Sequence, residues 1–199
     1  RPQPGAIEIP IDLQYAETES VMVRVPENLG FEADPEVISL VADKVKEATK
    51  RIFVVGGGVI SSEASEELKD LAEALDAPVL TTVDGRGVLP EDHRLCMGNY
   101  YNSAGIYNAI QDADLTIAIG TKFAVGVDGQ FHSQTPPGEL IQIDIDGNMI
   151  GRTHRATIGV LSDAKSALTH LKPLISEMSK NDSQFNEGLF QAREGVKSA

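Results

Sequence analysis

The sequence predicts an α/β fold: a doubly wound, mostly parallel sheet of five to six strands with helices on both faces. Three observations carry this. Short apolar runs alternate with segments of helical period along most of the 199 residues, the order that calls for right-handed crossovers between parallel strands. Glycines or acids stand where these runs end, as at "RIFVVGGG" and "LIQIDID", and the carboxyl ends of parallel strands are where such sheets bind ligands. Hydrophobic residues make up 41% of the chain with only 5% aromatics and no tryptophan, so the core must be built from Val, Ile, Leu and Ala, the usual filling of a Rossmann-like sheet covered on both sides.

The elements follow in order. "PGAIEIPIDLQ" (Pro4 to Gln14) is a short strand-like piece punctuated by prolines, and the stretch from Tyr15 towards Asp34 has no sustained period and reads as a linker. Asp34 then takes an N-cap position with Pro35 at the first helical residue, and Val37, Leu40, Val41, Val45 and Ala48 share one face. "RIFVV" is a strand running into Gly56–Gly58, and "SSEASEELKDLAEALD" is a helix carrying Ala64, Leu68, Leu71, Ala72 and Leu75. Ala77 to Val83 reads as the second strand, Ser103 to Ala113 as a helix, "DLTIAIG" as the third strand, "ELIQIDI" as the fourth and "ATIGVL" as the fifth. Ser162 opens a helix bearing Ala164, Leu168, Leu171 and Ile175. From Ser176 the chain turns polar and loses its period, as an exposed connector or frayed end does.

Charge removes several classes of partner. Seventeen basic residues against thirty acidic ones leave a net charge of −13, which repels a nucleic-acid backbone and an anionic membrane surface alike. The single cysteine, Cys96, cannot form an internal disulfide, and no apolar run is long enough to span a bilayer. A cytoplasmic setting is expected.

The site candidates lie on the predicted strand ends. A glycine turn can bring a pyrophosphate close to the backbone, with the following helix N-terminus facing the anion. Here Gly56 and Gly58 fit the first two positions of a dinucleotide fingerprint, Ser61 stands where the third glycine belongs, and Thr81 and Thr82 replace the acid expected after the second strand. Nucleotide binding and plain turn geometry both remain open. Thr121 and Lys122 offer a hydroxyl and a point charge to a phosphate or a flavin's polar edge, or a solvated lysine on a loop that runs to about Gly138. In the fourth strand Ile141, Ile143 and Ile145 share one face and Gln142, Asp144 and Asp146 the other. A catalytic pair lacks an identifiable partner and a Ca²⁺ site lacks further oxygens. Asp144 suits the acceptance of hydrogen bonds from ribose hydroxyls, and Asp146 before Gly147 suits a turn. His93, His132, His154 and His170 have no metal-ligand spacing and read as surface or capping residues, Cys96 as a small buried one, and Tyr100, Tyr101 and Tyr107 as packing residues.

Assembled in order, "RIFVVGGGVISSEASEELKDLAEALDAPVLTTVDGRGVLPEDHRLCMGN", "ADLTIAIGTKF", "LIQIDIDGNMIGR" and "GVLSDAKSAL" resemble the central domain of thiamine diphosphate-dependent enzymes, the group of acetolactate synthase, glyoxylate carboligase and related 2-oxo acid decarboxylases. The resemblance runs from about Asp34 to Ile175. It implies a remnant of a preceding pyrimidine-binding domain over 1–18, a linker over 19–33, the central domain over 34–178, and a connector over 179–199 towards a diphosphate-binding domain. The resemblance further implies thiamine diphosphate and Mg²⁺ held by flanking domains of the same chain, in a homodimer or homotetramer, and no catalysis by this part alone. In flavin-binding members the central domain holds FAD, and those contacts fall on Gly57, Gly58, Thr82, Val83, Gly98, Gly120, Thr121, Lys122, Asp144 and Asp163; other members hold ADP or nothing. Lys122 replaces an arginine of the flavin-binding pattern, no acids follow Phe123, and Tyr100 stands near a usual histidine. A lysine cannot supply the planar fork of a guanidinium. Two other readings stand beside this one: a free-standing NAD- or nucleotide-binding protein, and a ligand-free interaction module.

Overall fold

A computed structural model describes residues 5–17, 19, 31–99, 104–123, 135–175 and 177–197. Most of the expected linker, Tyr100, Tyr101, His132 and residues 124–134 of the loop after Lys122 lie outside the described residues. Six strands form one parallel sheet: β1 (Arg51–Val55), β2 (Val79–Thr81), β3 (Cys96–Asn99), β4 (Leu115–Ile119), β5 (Glu139–Asp144) and β6 (Ile158–Leu161), in the order β3-β2-β1-β4-β5-β6. The expected doubly wound Rossmann-like arrangement is the one observed.

Two layers cover the sheet. On one side Phe53, Val55, Ile117, Ile119, Ile141 and Ile143 meet α1 (Pro35–Glu47), α3 (Ser65–Leu75) and α5 (Ala164–Ile175). On the other, Ile52, Val54, Leu80 and Ala118 meet α4 (Ala104–Ala109) and α6 (Ser183–Lys197). Asp34 caps α1 as expected, its Oδ1 accepting from the Glu36 N–H at 2.9 Å. The buried stripe of α1 is Ile38, Val41, Ala42 and Val45, with the expected Val37 and Ala48 packed against the core beside it, and of the expected face only Leu40 faces solvent.

Four segments differ from the sequence reading. The helix expected from Ser61 is split into α2 (Gly57–Ser61) and α3, because Glu63 takes a left-handed φ of 53° between them. Strand β3 is not among the expected strands, and it forms because the buried Cys96 and Met97 complete the sheet edge beside β2. Residues 5–12 pair with no strand among the described residues, and Ile7, Ile9, Ile11 and Leu13 stay exposed there. The tail expected to be an exposed connector contains α6, which buries Phe185 and Leu189, one helical turn apart, against the sheet.

A polar clasp holds that tail. Arg51, fully buried at the start of β1, donates from Nε to the Val45 carbonyl at 2.7 Å and from Nη1 to the Ser179 carbonyl at 3.0 Å. Asn181 answers like a backbone partner: its Oδ1 accepts from the Arg51 N–H at 3.1 Å and its Nδ2 donates to the Arg51 carbonyl at 2.8 Å. Asn186 then ties α6 to the end of α3 by donating to the Asp76 carbonyl at 2.7 Å. Arg51, Asn181 and Asn186 are buried, so their polar groups need these partners.

Candidate functional site

The strand order reverses between β1 and β4, and the ends of these strands are locked together. The Gly56 N–H donates to the Ile119 carbonyl at 2.9 Å, Gly58 to the Gly120 carbonyl at 3.1 Å, and Gly120 to the Ile143 carbonyl at 2.9 Å. On the other flank Thr82 donates to the Val55 carbonyl at 2.8 Å. Only glycine allows this approach. A Cβ on Gly58 would lie 2.5 Å from the Gly120 Cα, one on Gly85 would run into the Val55 carbonyl, and Gly120 itself has φ +57°. The glycine turn therefore serves backbone-to-backbone packing, and the Gly58 N–H that a pyrophosphate would seek is committed to Gly120. The helix that starts at the turn is the five-residue α2 rather than the longer helix expected.

The loops beyond β4 and β5 are organised by a residue to which the sequence reading gave no role. Gln142 is buried in the middle of β5; its Nε2 donates to the carbonyls of Thr121 at 3.2 Å and Met149 at 3.1 Å, and its Oε1 accepts from the Gly151 N–H at 2.8 Å. An amide inside an otherwise isoleucine-rich strand was the available signal, since a buried polar group implies partners. Gln142→Leu is expected to cost about 2–3 kcal/mol in a urea titration, roughly one net hydrogen bond's worth for each of three lost bonds. A variant as stable as the parent would show that these bonds are dispensable.

The remaining candidates fall as follows. Thr121 is buried, with Oγ1 accepting from the Phe123 N–H at 3.2 Å, while the Lys122 side chain is exposed and its carbonyl accepts from Thr153 Oγ1 at 3.0 Å. Asp144 is buried at the end of β5, and its Oδ1 accepts from the Asp146 N–H at 2.9 Å. Asp146 forms the expected turn, accepting from the Asn148 N–H at 3.0 Å. Asp163 follows β6 and caps α5, accepting from the Lys165 N–H at 2.9 Å. Thr82 and the exposed Val83 open a short turn after β2. Gly57, Gly58, Thr82, Val83, Gly120, Thr121, Lys122, Asp144 and Asp163 thus share the carboxyl rim of the sheet. Gly98 stands on the same rim, at the carboxyl end of edge strand β3 beside β2, where its carbonyl accepts from Thr81 Oγ1 at 3.3 Å.

His154, expected as a surface or capping residue, is half-buried with its ring edge-on to Phe123, the centroids 5.0 Å apart. Burial holds its pKa below the ordinary imidazole value, and among the described residues its Nε2 has no hydrogen-bond partner. Among the described residues no three His, Cys, Asp or Glu side chains converge into a group that could hold a metal, so the ligands for a divalent cation are not assembled there. Nor is any described helix long and apolar enough to cross a membrane.

Fold and rim together define a doubly wound, Rossmann-like domain with its switch point between β1 and β4. Residues 38–171 match the family model for the thiamine pyrophosphate enzyme central domain, and the chain belongs to that family. It is 36% identical over 180 residues to a probable acetolactate synthase large subunit of Methanocaldococcus jannaschii, covering 86% of this chain and 30% of that protein. It is 31% identical over 194 residues to a glyoxylate carboligase of Escherichia coli O157:H7, covering 90% of this chain and 31% of the relative. Among solved structures, benzoylformate decarboxylase from Polynucleobacter necessarius superposes with a TM-score of 0.68 at 26% identity, over 86% of this chain and 33% of the other. The chain spans about a third of the length of these relatives.

Proposed function

We infer that the chain acts as the central scaffold of a larger cytoplasmic thiamine diphosphate-dependent enzyme of the acetolactate synthase type, which decarboxylates a 2-oxo acid and joins the product to an acceptor. Thiamine diphosphate and Mg²⁺ belong to flanking domains of that enzyme, a homodimer or homotetramer, and this part performs no bond-making step by itself. The exposed Ile7, Ile9 and Ile11 support the presence of a preceding domain, because alternate residues of an extended segment share one face and this apolar one is uncovered.

The rim of this domain holds an adenine nucleotide, ADP or FAD, in a structural role. The observation that carries this reading is the buried Asp144 at the end of β5, directly after Ile143, whose carbonyl binds Gly120; an acid so placed accepts hydrogen bonds from ribose hydroxyls. With the Gly58 N–H committed, the diphosphate relies on the exposed Lys122. A ligand-free scaffold is the second reading, favoured by the protein partners already held by the Gly58 N–H, Thr121 Oγ1 and Asp163 Oδ1.

Thermal unfolding with ADP, FAD or NAD separates these. A ligand at a hundred times its dissociation constant adds about 2.7 kcal/mol. ADP or FAD is expected to raise the midpoint, and Asp144→Ala to weaken that ligand by about 1.5–3 kcal/mol for each charge-assisted hydrogen bond lost. A shift with NAD alone would favour the free-standing NAD-binding protein, and no shift with any of the three would leave the ligand-free scaffold.

A further inference from the structure

The sequence holds three Asp-Gly pairs, Asp84–Gly85, Asp128–Gly129 and Asp146–Gly147, and the second lies outside the described residues. An Asp-Gly pair carries its own electrophile and nucleophile, because a glycine nitrogen has no Cβ beside it to block attack on the preceding carboxyl. Whether the reaction runs depends on how the fold holds each pair.

The two described pairs are held in opposite ways. Gly85 is locked: its N–H donates to the Thr82 carbonyl at 3.1 Å, and a Cβ on it would lie 2.3 Å from the Val55 carbonyl oxygen, so the 84–85 peptide cannot turn without striking β1. Gly147 is exposed, and a Cβ there would meet only the Leu161 side chain, at 3.7 and 3.9 Å. Its N–H makes no hydrogen bond among the described residues. It is the second residue of a β-turn closed by the Met149 N–H donating to the Asp146 carbonyl at 2.9 Å, the position whose N–H such a turn leaves unused.

The Asp146 carboxyl is prepared as well. Its Oδ1 accepts from the Asn148 N–H at 3.0 Å and from Asn148 Nδ2 at 3.1 Å, which folds the side chain back along the turn. When a nitrogen adds to Cγ, negative charge collects on a carboxyl oxygen, and donors already placed on that oxygen stabilise it.

We propose that Asp146–Gly147 is a site of spontaneous modification, where the chain closes to a succinimide and reopens as isoaspartate. The Gly147 nitrogen bonds to Cγ of the protonated Asp146 carboxyl, the Cγ–Oδ2 bond breaks, and the oxygen leaves as water with the Gly147 proton and the carboxyl proton. Water then opens the ring. Attack at Cγ restores aspartate; attack at the main-chain carbonyl carbon of Asp146 breaks its bond to the Gly147 nitrogen and leaves the main chain running through Cβ and Cγ. That product has an extra main-chain atom in a turn held at both ends, by Asp144 Oδ1 accepting from the Asp146 N–H at 2.9 Å and by Gln142 Nε2 donating to the Met149 carbonyl at 3.1 Å. The reaction belongs to the turn itself and is independent of the nucleotide reading of the rim.

The full chain would be held in warm, mildly acidic buffer, once folded and once in guanidinium chloride, then digested for peptide mapping by mass spectrometry. The succinimide reads as the loss of one water, and electron-transfer fragmentation separates isoaspartate from aspartate. In denaturant Asp84 and Asp146 are expected to convert at similar rates, since glycine follows both. In the folded chain Asp146 should keep or exceed its denatured rate while Asp84 nearly stops. Asn148→Ala, which removes the Nδ2 donor, should slow folded-state conversion at Asp146 roughly fivefold, the worth of about one net hydrogen bond, and leave the denatured rate unchanged. Folded-state conversion at Asp146 no faster than at Asp84, conversion at Asp146 slower than in denaturant, or an unchanged folded-state rate in Asn148→Ala would each overturn the proposal.

Discussion

Gly120→Val is expected to destabilise the domain by about 2–5 kcal/mol or more. The added Cβ falls 2.5 Å from the Gly58 Cα and 2.9 Å from the Gly58 carbonyl carbon. Those are backbone atoms, held in place by the Gly58 N–H bond to the Gly120 carbonyl, so no side chain can swing aside to relieve the clash. Overpacking of this kind costs about 1–3 kcal/mol and occasionally more. The left-handed φ of +57° adds about 1–2 kcal/mol for any L-residue, and a β-branched one is a sharper misfit. Together these approach the 5–15 kcal/mol that holds a typical domain together. Gly87→Ala is the control: its φ is also positive, but open space surrounds the new Cβ, so only the backbone term is lost. Far-UV circular dichroism against temperature checks both, and a Gly120→Val midpoint equal to that of Gly87→Ala would show that the two turns are not interlocked.

The second large effect is at the opposite end of the sheet. Asn181→Ala is expected to cost about 3–5 kcal/mol, because it strips partners from the buried N–H and carbonyl of Arg51 and from its Nη1. Each buried group left unsatisfied costs about 1–3 kcal/mol. Since the same residue anchors the segment leading into α6, the loss should expose that segment to proteolysis before the rest of the domain. A urea midpoint measured alongside limited trypsin digestion reads both effects. Parent-like resistance of the 176–182 region together with a parent-like midpoint would mean that the apolar face of α6 suffices to hold it.

The parts of the fold legible in the sequence were those whose burial is uniform. β1 and β4 are buried at every position, β5 at all but its first, and α3 and α5 carry the expected apolar residues on their buried faces; apolar runs and helical spacing show such elements directly. β3 was missed because Gly98 and Asn99 dilute a four-residue strand, and α6 because its stripe is sparse and interrupted by Gly188 and Gly195. At the rim, the sequence marked the glycines and Asp144, whose chemistry is local. It could not show that Gly58 and Gly120 are pressed together from positions 62 residues apart, nor that Gln142 reaches three separate loop groups, since such contacts exist only once the sheet is assembled.

The clasp between Arg51 and Asn181 has a kinetic consequence, for these residues are separated by 130 positions in the chain. A contact that closes so long a stretch comes after most of the sheet has been laid down, so it should contribute little to the folding barrier and much to the barrier against unravelling. Weakening it should leave the refolding limb of a chevron almost unmoved and steepen the rate of escape from the native state. Asn181 would then govern how long the folded molecule lasts far more than how quickly it forms.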